Sequence, residues 1–134
     1  MRNAAVPSVA FLALLIAATP IAAHHSFAAE YDSTKPIKLT GKVTKVEWQN
    51  PHAFFYIDAK DERTGETVNW SVELGSPNGL MRLGWTRKSM EINTIVNVEG
   101  TLARDGSKLL NARSVVLAAT GKRLFAGSSE GSTP

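Results

Sequence analysis

The sequence contains no cysteine among its 134 residues. This absence excludes disulfide bridges, thiolate metal ligands and cysteine nucleophiles, so the stability of the folded chain has to come from packing. Aromatic residues are scarce, at 7%, and we expect most of them to be buried. The formal net charge of +3 is too small to indicate a polyanionic partner, and we therefore do not expect the protein to bind nucleic acid.

Long apolar runs are also absent, apart from one over residues 9–18 (VAFLALLIAA). A run of this length is too short to cross a bilayer. With Arg2 before it and the small residues Ala22 and Ala23 after it, the run is typical of a cleavable secretory signal peptide over residues 1–23. We predict cleavage between Ala23 and His24, with cleavage after Ala28 as the alternative. The protein is then periplasmic or secreted and keeps no membrane anchor.

The chain that follows the signal peptide is long enough for one domain, which we place at residues 24–126. Residues 127–134 (GSSEGSTP) contain too few apolar side chains to pack, and we expect a disordered tail.

The hydrophobic pattern of the domain predicts β-structure. Strand-like segments are separated by turn residues and cover 37–48, 53–59, 67–74, 94–102 and 109–117, and the pattern allows a further short strand at Leu124-Phe125. In the first segment the alternation slips near Thr44-Lys45, which indicates a β-bulge. In the third segment the apolar residues alternate strictly with polar ones, which predicts one buried face and places Glu73 on the solvent face.

A short helix is predicted between the third and fourth strands. Ser76 and Pro77 have the residue types of an N-cap and a first helical position, Leu80, Met81 and Leu83 form a short apolar face, and Gly84 ends the turn. The predicted order is therefore three strands, a short helix and two more strands, and the first strand is long and bent. This is the order of the OB-fold, an all-β, five-stranded Greek-key barrel. A plain antiparallel sandwich is the alternative.

Several short motifs carry a resemblance to one family. They are His24-His25-Ser26-Phe27, Asn50-Pro51-His52, Trp70 with Glu73-Leu74-Gly75-Ser76-Pro77-Asn78, Gly84-Trp85 and Asp105-Gly106-Ser107. In combination they resemble a family of small exported bacterial proteins of unknown function, and the strand order is loosely similar to that of periplasmic bacterial OB-fold proteins. The resemblance implies a fold and a compartment, and no established activity.

The histidines are the candidate metal ligands. Cleavage after Ala23 would make His24 the first residue, and its amine and imidazole can bind one metal ion together. A second imidazole from His25 or His52 would complete the nitrogen-rich set that Cu(II) prefers, whereas Zn(II) fits less well. The alternative is that His24 and His25 are solvated residues at a frayed terminus, and that His52 bonds to nearby backbone in its turn.

A candidate binding surface consists of Trp48, Asn50 and Trp85. Asn50 lies in the loop between the first two strands, where OB-folds tend to place binding residues, and we expect Trp48 and Trp85 to be the exposed tryptophans. Residues 30–32, Glu-Tyr-Asp, could add oxygen ligands or orient a histidine. Tethering of the N-terminal segment is the simpler interpretation.

Catalytic patterns are missing. No serine stands in a nucleophile-elbow motif and no acid pair has a spacing that indicates acid–base catalysis, so we do not expect an enzyme. Two hypotheses remain. In the first, the protein is an exported binding protein that captures copper or a small ligand through His24, His25 and His52. In the second, it is an accessory protein that docks onto a cell-envelope protein through strand edges or the loop from Asn78 to Trp85.

Overall fold

The structure is a computed structural model that describes residues 27–127. The predicted signal peptide, His24, His25 and all of the predicted tail except Gly127 lie outside these residues. Residues 27–30 form a helical turn. The elements that follow are β1 (Tyr31–Glu47), β2 (Phe54–Lys60), β3 (Thr67–Glu73), α1 (Pro77–Arg82), β4 (Ile95–Ala103), β5 (Leu109–Leu117) and β6 (Arg123–Phe125). No helix within residues 27–127 has the length and apolar character that a membrane crossing requires.

The strand pairings close a ring. β1 pairs antiparallel with β2 and β4, β2 with β3, and β4 with β5. The ring is completed by a short parallel pairing of β3 with β5, over Ser71–Glu73 and Leu109–Asn111. A plain antiparallel sandwich has no place for this parallel pairing, and the observed order is that of the OB-fold. The predicted fold class is therefore confirmed, and the short strand expected at Leu124-Phe125 is present as β6, which pairs with β5.

β1 is longer than predicted. Tyr31 pairs with Ala103 and Pro36 with Thr101 of β4, so the strand begins six residues before the predicted start at Ile37. Sequence pattern could not reveal this extension because residues 32–36 are polar or proline and carry no apolar alternation. The bulge predicted near Thr44-Lys45 is confirmed by a register shift between Val43 and Lys45 in the pairing with β2.

The core lies inside the ring and is closed at one end by α1. Its buried side chains come from every strand, and the largest include Phe55, Ile57, Leu80, Val98 and Leu110. Close packing of strands is enforced at Gly100 of β4, where a Cβ atom would lie 2.1 Å from the carbonyl oxygen of Asn111 on β5.

α1 begins as the sequence predicts. The Ser76 side chain accepts a hydrogen bond from the backbone N–H of Gly79, and Pro77 occupies the first turn. The predicted apolar face is only partly correct, because Leu80 is buried whereas Met81 and Leu83 are 52% and 46% exposed. A helix of six residues has room to bury one such side chain against the core, and its other apolar residues point outward.

Candidate functional site

The candidate site is centred on Glu73, the last residue of β3. The adjacent residues Val72 and Leu74 belong to the core, so strand alternation directs Glu73 to the outer face of the ring. The residue is nevertheless only 5% exposed. The prediction that Glu73 faces solvent is wrong, because Tyr31 at the start of β1 is packed against it.

Two side chains contact the Glu73 carboxylate. The hydroxyl of Tyr31 donates a hydrogen bond to Oε2, and Nδ1 of His52 lies 2.7 Å from Oε1. Tyr31 is buried, whereas the His52 side chain is 47% exposed. The carboxylate is thus enclosed between a buried phenol on one side and an imidazole that reaches solvent on the other.

The sheet register brings His52 to Glu73. Phe54 at the start of β2 pairs directly with Glu73, and His52 precedes Phe54 by two residues. Residues i and i+2 of an extended chain share a face, so His52 is a diagonal neighbour of Glu73. The connection is fixed by two backbone hydrogen bonds, from Ala53 N to Gly75 O at 3.0 Å and from Leu74 N to Ala53 O at 2.8 Å.

Tyr31 is held in place by the segment around it and by Arg104. Its ring lies 5.3 Å from the ring of Phe27. The guanidinium of Arg104 donates to the backbone oxygens of Tyr31, at 3.2 Å, and of Ala28, at 3.0 Å. Asp32 accepts hydrogen bonds from Thr34 instead. Among residues 30–32, Tyr31 is the one that hydrogen-bonds to Glu73. It thereby tethers the start of β1 to the ring of strands.

Burial governs the electrostatics of this cluster. Removal from water raises the pKa of the Glu73 carboxyl, and the hydrogen bond from Tyr31 and the nearby His52 imidazole oppose that change. Burial and the adjacent Glu73 carboxylate both raise the pKa of Tyr31, so its hydroxyl keeps its proton and acts as a donor. Each oxygen of the carboxylate therefore has its own donor.

This arrangement orients the imidazole. When Nδ1 of His52 donates to Glu73, a neutral ring presents its lone pair at Nε2, on the side away from the carboxylate. Histidines that bind metal ions are commonly oriented by a carboxylate in this way. Within residues 27–127, no three His, Cys, Asp or Glu side chains are grouped so that they could hold a metal ion. Further ligands would have to come from other residues.

Two more buried polar residues lie beside Glu73 and were not anticipated. Asn111 of β5 pairs with Glu73 across the parallel register and with Thr101 of β4 on its other side. All three are buried, and Oδ1 of Asn111 has no hydrogen-bond partner among the described residues. A row of polar side chains that another segment covers cannot be recognised from the sequence. Such residues alternate with apolar ones in the same way as the residues of a face exposed to solvent.

The predicted binding surface is only partly exposed. Asn50 is exposed and Trp48 is half-buried against the core. Trp85 is 2% exposed, and its Nε1 donates to the backbone oxygen of Phe125 at 2.8 Å. The expectation that the Trp85 ring is exposed is therefore wrong, because β6 covers it and satisfies its polar atom.

The order and pairing of the strands place the protein in the class of all-β proteins with an OB-fold. Residues 12–111 match a family of unknown function, DUF6152, and the chain belongs to this family. The predicted resemblance to a family without an established activity is thus confirmed. No curated protein matches the chain.

Among solved structures, the chain is similar to the mitochondrial single-stranded DNA binding protein Rim1 from S. cerevisiae. The sequences are 14% identical, the TM-score is 0.49, and the match covers 63% of this chain and 93% of that chain. A similarity at this level carries no argument about function.

Proposed function

We propose that the protein is an exported binding protein that holds a transition metal, Cu(II), through His52 together with the N-terminal residues His24 and His25. The observation that carries this proposal is the 2.7 Å contact between Nδ1 of His52 and the buried carboxylate of Glu73. This contact selects the tautomer and the ring orientation that a metal ligand needs, and it leaves Nε2 on the exposed side.

Covalent geometry supports a shared site for the three histidines. The Phe27 ring packs on Tyr31, and Tyr31 hydrogen-bonds to the same carboxylate as His52. His25 precedes Phe27 by two residues, a distance that an extended chain spans in at most about 7 Å. The proposed shared site therefore requires the chain to span only the two residue steps from His25 to Phe27.

The available donors fit Cu(II). Imidazole nitrogens and a free terminal amine form the nitrogen-rich set that this ion prefers, and the chain has no cysteine to favour Cu(I). Glu73 is buried and already accepts two hydrogen bonds, so its role is to position His52. The proposal assigns no catalytic residue.

The proposal is tested by calorimetric titration of Cu(II) into five matched forms of the protein. We expect tight binding by the form that begins at His24, and at least tenfold weaker binding by a form with one extra N-terminal residue and by His52→Ala. Glu73→Gln should weaken binding by about 10- to 100-fold, the usual effect of losing such an orienting group. Glu47→Gln is the control, since Glu47 pairs with Lys45 on the surface, and its affinity should be unchanged.

Equal binding by all forms would contradict the proposal. So would a His52→Ala variant that loses thermal stability but keeps its copper affinity, because His52 would then be only a structural partner of Glu73. Mass spectrometry of the native N-terminus is the necessary companion measurement. Cleavage after Ala28 would remove His24 and His25 and would eliminate the shared site.

The second hypothesis is an accessory protein that docks through strand edges or the loop from Asn78 to Trp85. The burial of Trp85 removes one side chain from the surface of that loop. The exposed apolar side chains of that loop are Met81 and Leu83, and their surroundings indicate a different kind of partner.

A further inference from the structure

Two segments of the chain carry basic residues without any acidic residue to balance them. Residues 74–90 contain three basic residues, Arg82, Arg87 and Lys88, and residues 112–127 contain three more, Arg113, Lys122 and Arg123, whereas neither segment contains an Asp or Glu. The twelve acidic residues of the chain all lie elsewhere. A small net charge for the whole protein thus conceals a strongly basic part.

The fold brings these two segments together. Trp85 donates to the backbone oxygen of Phe125, and Gly75 N donates to Ala126 O at 2.7 Å. Leu83 completes the contact, because its Cδ1 lies 3.4 Å from the position that a Cβ of Gly127 would occupy. The backbone oxygen of Arg113 accepts a hydrogen bond from Ala126 N at 2.9 Å, but Arg113 also lines another cavity with Lys38 and Glu99, and we leave it out of the surface described next.

Apolar side chains are exposed on the same part of the surface. Met81, Leu83 and Phe125 are 52%, 46% and 59% exposed, and they are three of the five large hydrophobic residues that are exposed within residues 27–127. Phe125 lies on β6, the same short strand as Arg123, and residues i and i+2 of a strand share a face. We call this surface the α1–β6 face, which consists of Met81, Arg82, Leu83, Arg87, Lys88, Lys122, Arg123 and Phe125.

None of the basic residues of the α1–β6 face forms an ion pair with a described residue. Within residues 27–127, the one hydrogen bond of their charged groups goes to a neutral acceptor, from Nη1 of Arg123 to Oγ of Ser114 at 3.0 Å. The α1–β6 face therefore combines five cationic groups with three exposed apolar side chains, and no described carboxylate neutralises the cations. This combination is typical of surfaces that lie on an anionic lipid bilayer, where the apolar groups enter the headgroup boundary and the cations contact phosphates.

Single-stranded nucleic acid fits the face less well. Such ligands are held by several exposed aromatic rings on which successive bases stack. Within residues 27–127, Phe125 is the only aromatic residue in the exposed class. Trp85 is buried, and the Trp70 ring is covered by Lys108, whose Nζ lies 5.0 Å from its centroid.

We propose that the α1–β6 face binds the surface of an anionic lipid bilayer, with Met81, Leu83 and Phe125 in the headgroup region and the five basic side chains on lipid phosphates. This inference is independent of the metal-binding proposal, since the face shares no residue with the His52 cluster. It makes the protein a peripheral membrane protein held by a reversible contact.

The test is sedimentation of the protein with sucrose-loaded vesicles of phosphatidylglycerol and phosphatidylcholine in equal parts, or of phosphatidylcholine alone. The protein is purified in the form in which it accumulates in the cell. Mass spectrometry identifies its first residue, so that only variants with the same N-terminus are compared. We expect binding to the anionic vesicles only, and weaker binding as salt is raised. Each basic residue near such a surface changes the partition coefficient about fivefold, so Arg87→Gln with Lys88→Gln should lower it about 30-fold.

Two control variants distinguish an effect of the α1–β6 face on binding from a general effect of the charge or hydrophobicity of the protein. Lys60→Gln with Arg63→Gln removes the same charge from the β2–β3 hairpin, which lies at the opposite end of β3 from α1. Ile92→Ser removes an apolar side chain that is 52% exposed but lies in the loop whose Asn93 bonds to Val43. We expect these controls to bind like the unaltered protein, whereas Phe125→Ser should bind at least tenfold more weakly.

Equal loss in test and control variants would overturn the proposal, since binding would then follow net charge alone. Equal binding to neutral and anionic vesicles would also overturn the proposal. A single-stranded oligothymidylate serves as a second probe, and binding to it without any binding to vesicles would overturn the proposal as well. In the last case the face would be a nucleic-acid surface.

Discussion

The contact between Tyr31 and Glu73 provides the sharpest test of the buried cluster. Tyr31→Phe removes the hydroxyl but keeps the ring, so the packing against Phe27 is retained. The Tyr31 hydroxyl is the only donor to Oε2 of Glu73 within residues 27–127, and after the change this oxygen is buried without a partner. Hydrogen bonds to charged groups contribute about 1.5–3 kcal/mol, and we expect the free energy of unfolding to fall by about 2 kcal/mol.

Urea denaturation at neutral pH measures this loss, with the slope of the transition unchanged if the native and unfolded states keep their compactness. In a domain of this size, 2 kcal/mol corresponds to a decrease in Tm of about 10 °C. The matched control is Tyr56→Phe. Tyr56 also donates to a carboxylate, Oε2 of Glu47 at 3.0 Å. This pair is only partly buried and the Glu47 side chain is 26% exposed, so water can replace the lost partner and the expected loss is below about 0.5 kcal/mol.

A similar loss in both variants would refute the reasoning, because burial of Glu73 would then contribute nothing to the difference. A loss below about 0.5 kcal/mol in Tyr31→Phe would have the same consequence. The orientation of His52 would in that case need another explanation, since Tyr31 and His52 hold the same carboxylate.

The remaining predictions concern the packing of β6 and of β4. Trp85→Phe removes the hydrogen bond to the Phe125 oxygen and leaves a small void, so unfolding should become easier by about 2 kcal/mol and the amide of Leu124 should exchange faster in hydrogen-exchange measurements. Unchanged exchange at Leu124 would show that Trp85 does not hold β6. Gly100→Ala places a Cβ 2.1 Å from the backbone oxygen of Asn111, and we expect a loss of more than about 2 kcal/mol in urea denaturation. A variant as stable as the original protein would contradict the close approach of β4 and β5.

Much of the fold could be predicted from local sequence. Apolar alternation identified the five principal strands, and the slip near Thr44-Lys45 located the bulge that the register confirms. Ser76 and Pro77 marked the start of α1 correctly. These features are local, because capping, bulges and alternation depend on residues that are near one another in the chain.

The site was less accessible to sequence analysis. The sequence indicates His52 as a candidate ligand but predicts that its partner Glu73 faces solvent. Glu73 meets Tyr31 across 42 positions of the chain, and only the path of β1 along β4 brings Tyr31 there. Trp85 was misjudged for the same reason, since the strand that covers it lies 40 positions away.

By itself, the sequence determined the order of the strands, the absence of thiol chemistry and the presence of two segments that contain basic but no acidic residues. The tertiary structure alone decided that these segments meet and that one face of β3 is covered. It also decided that a carboxylate lies between Tyr31 and His52. The physical reason is that alternation fixes which way a side chain points, whereas burial depends on what the rest of the chain places over it.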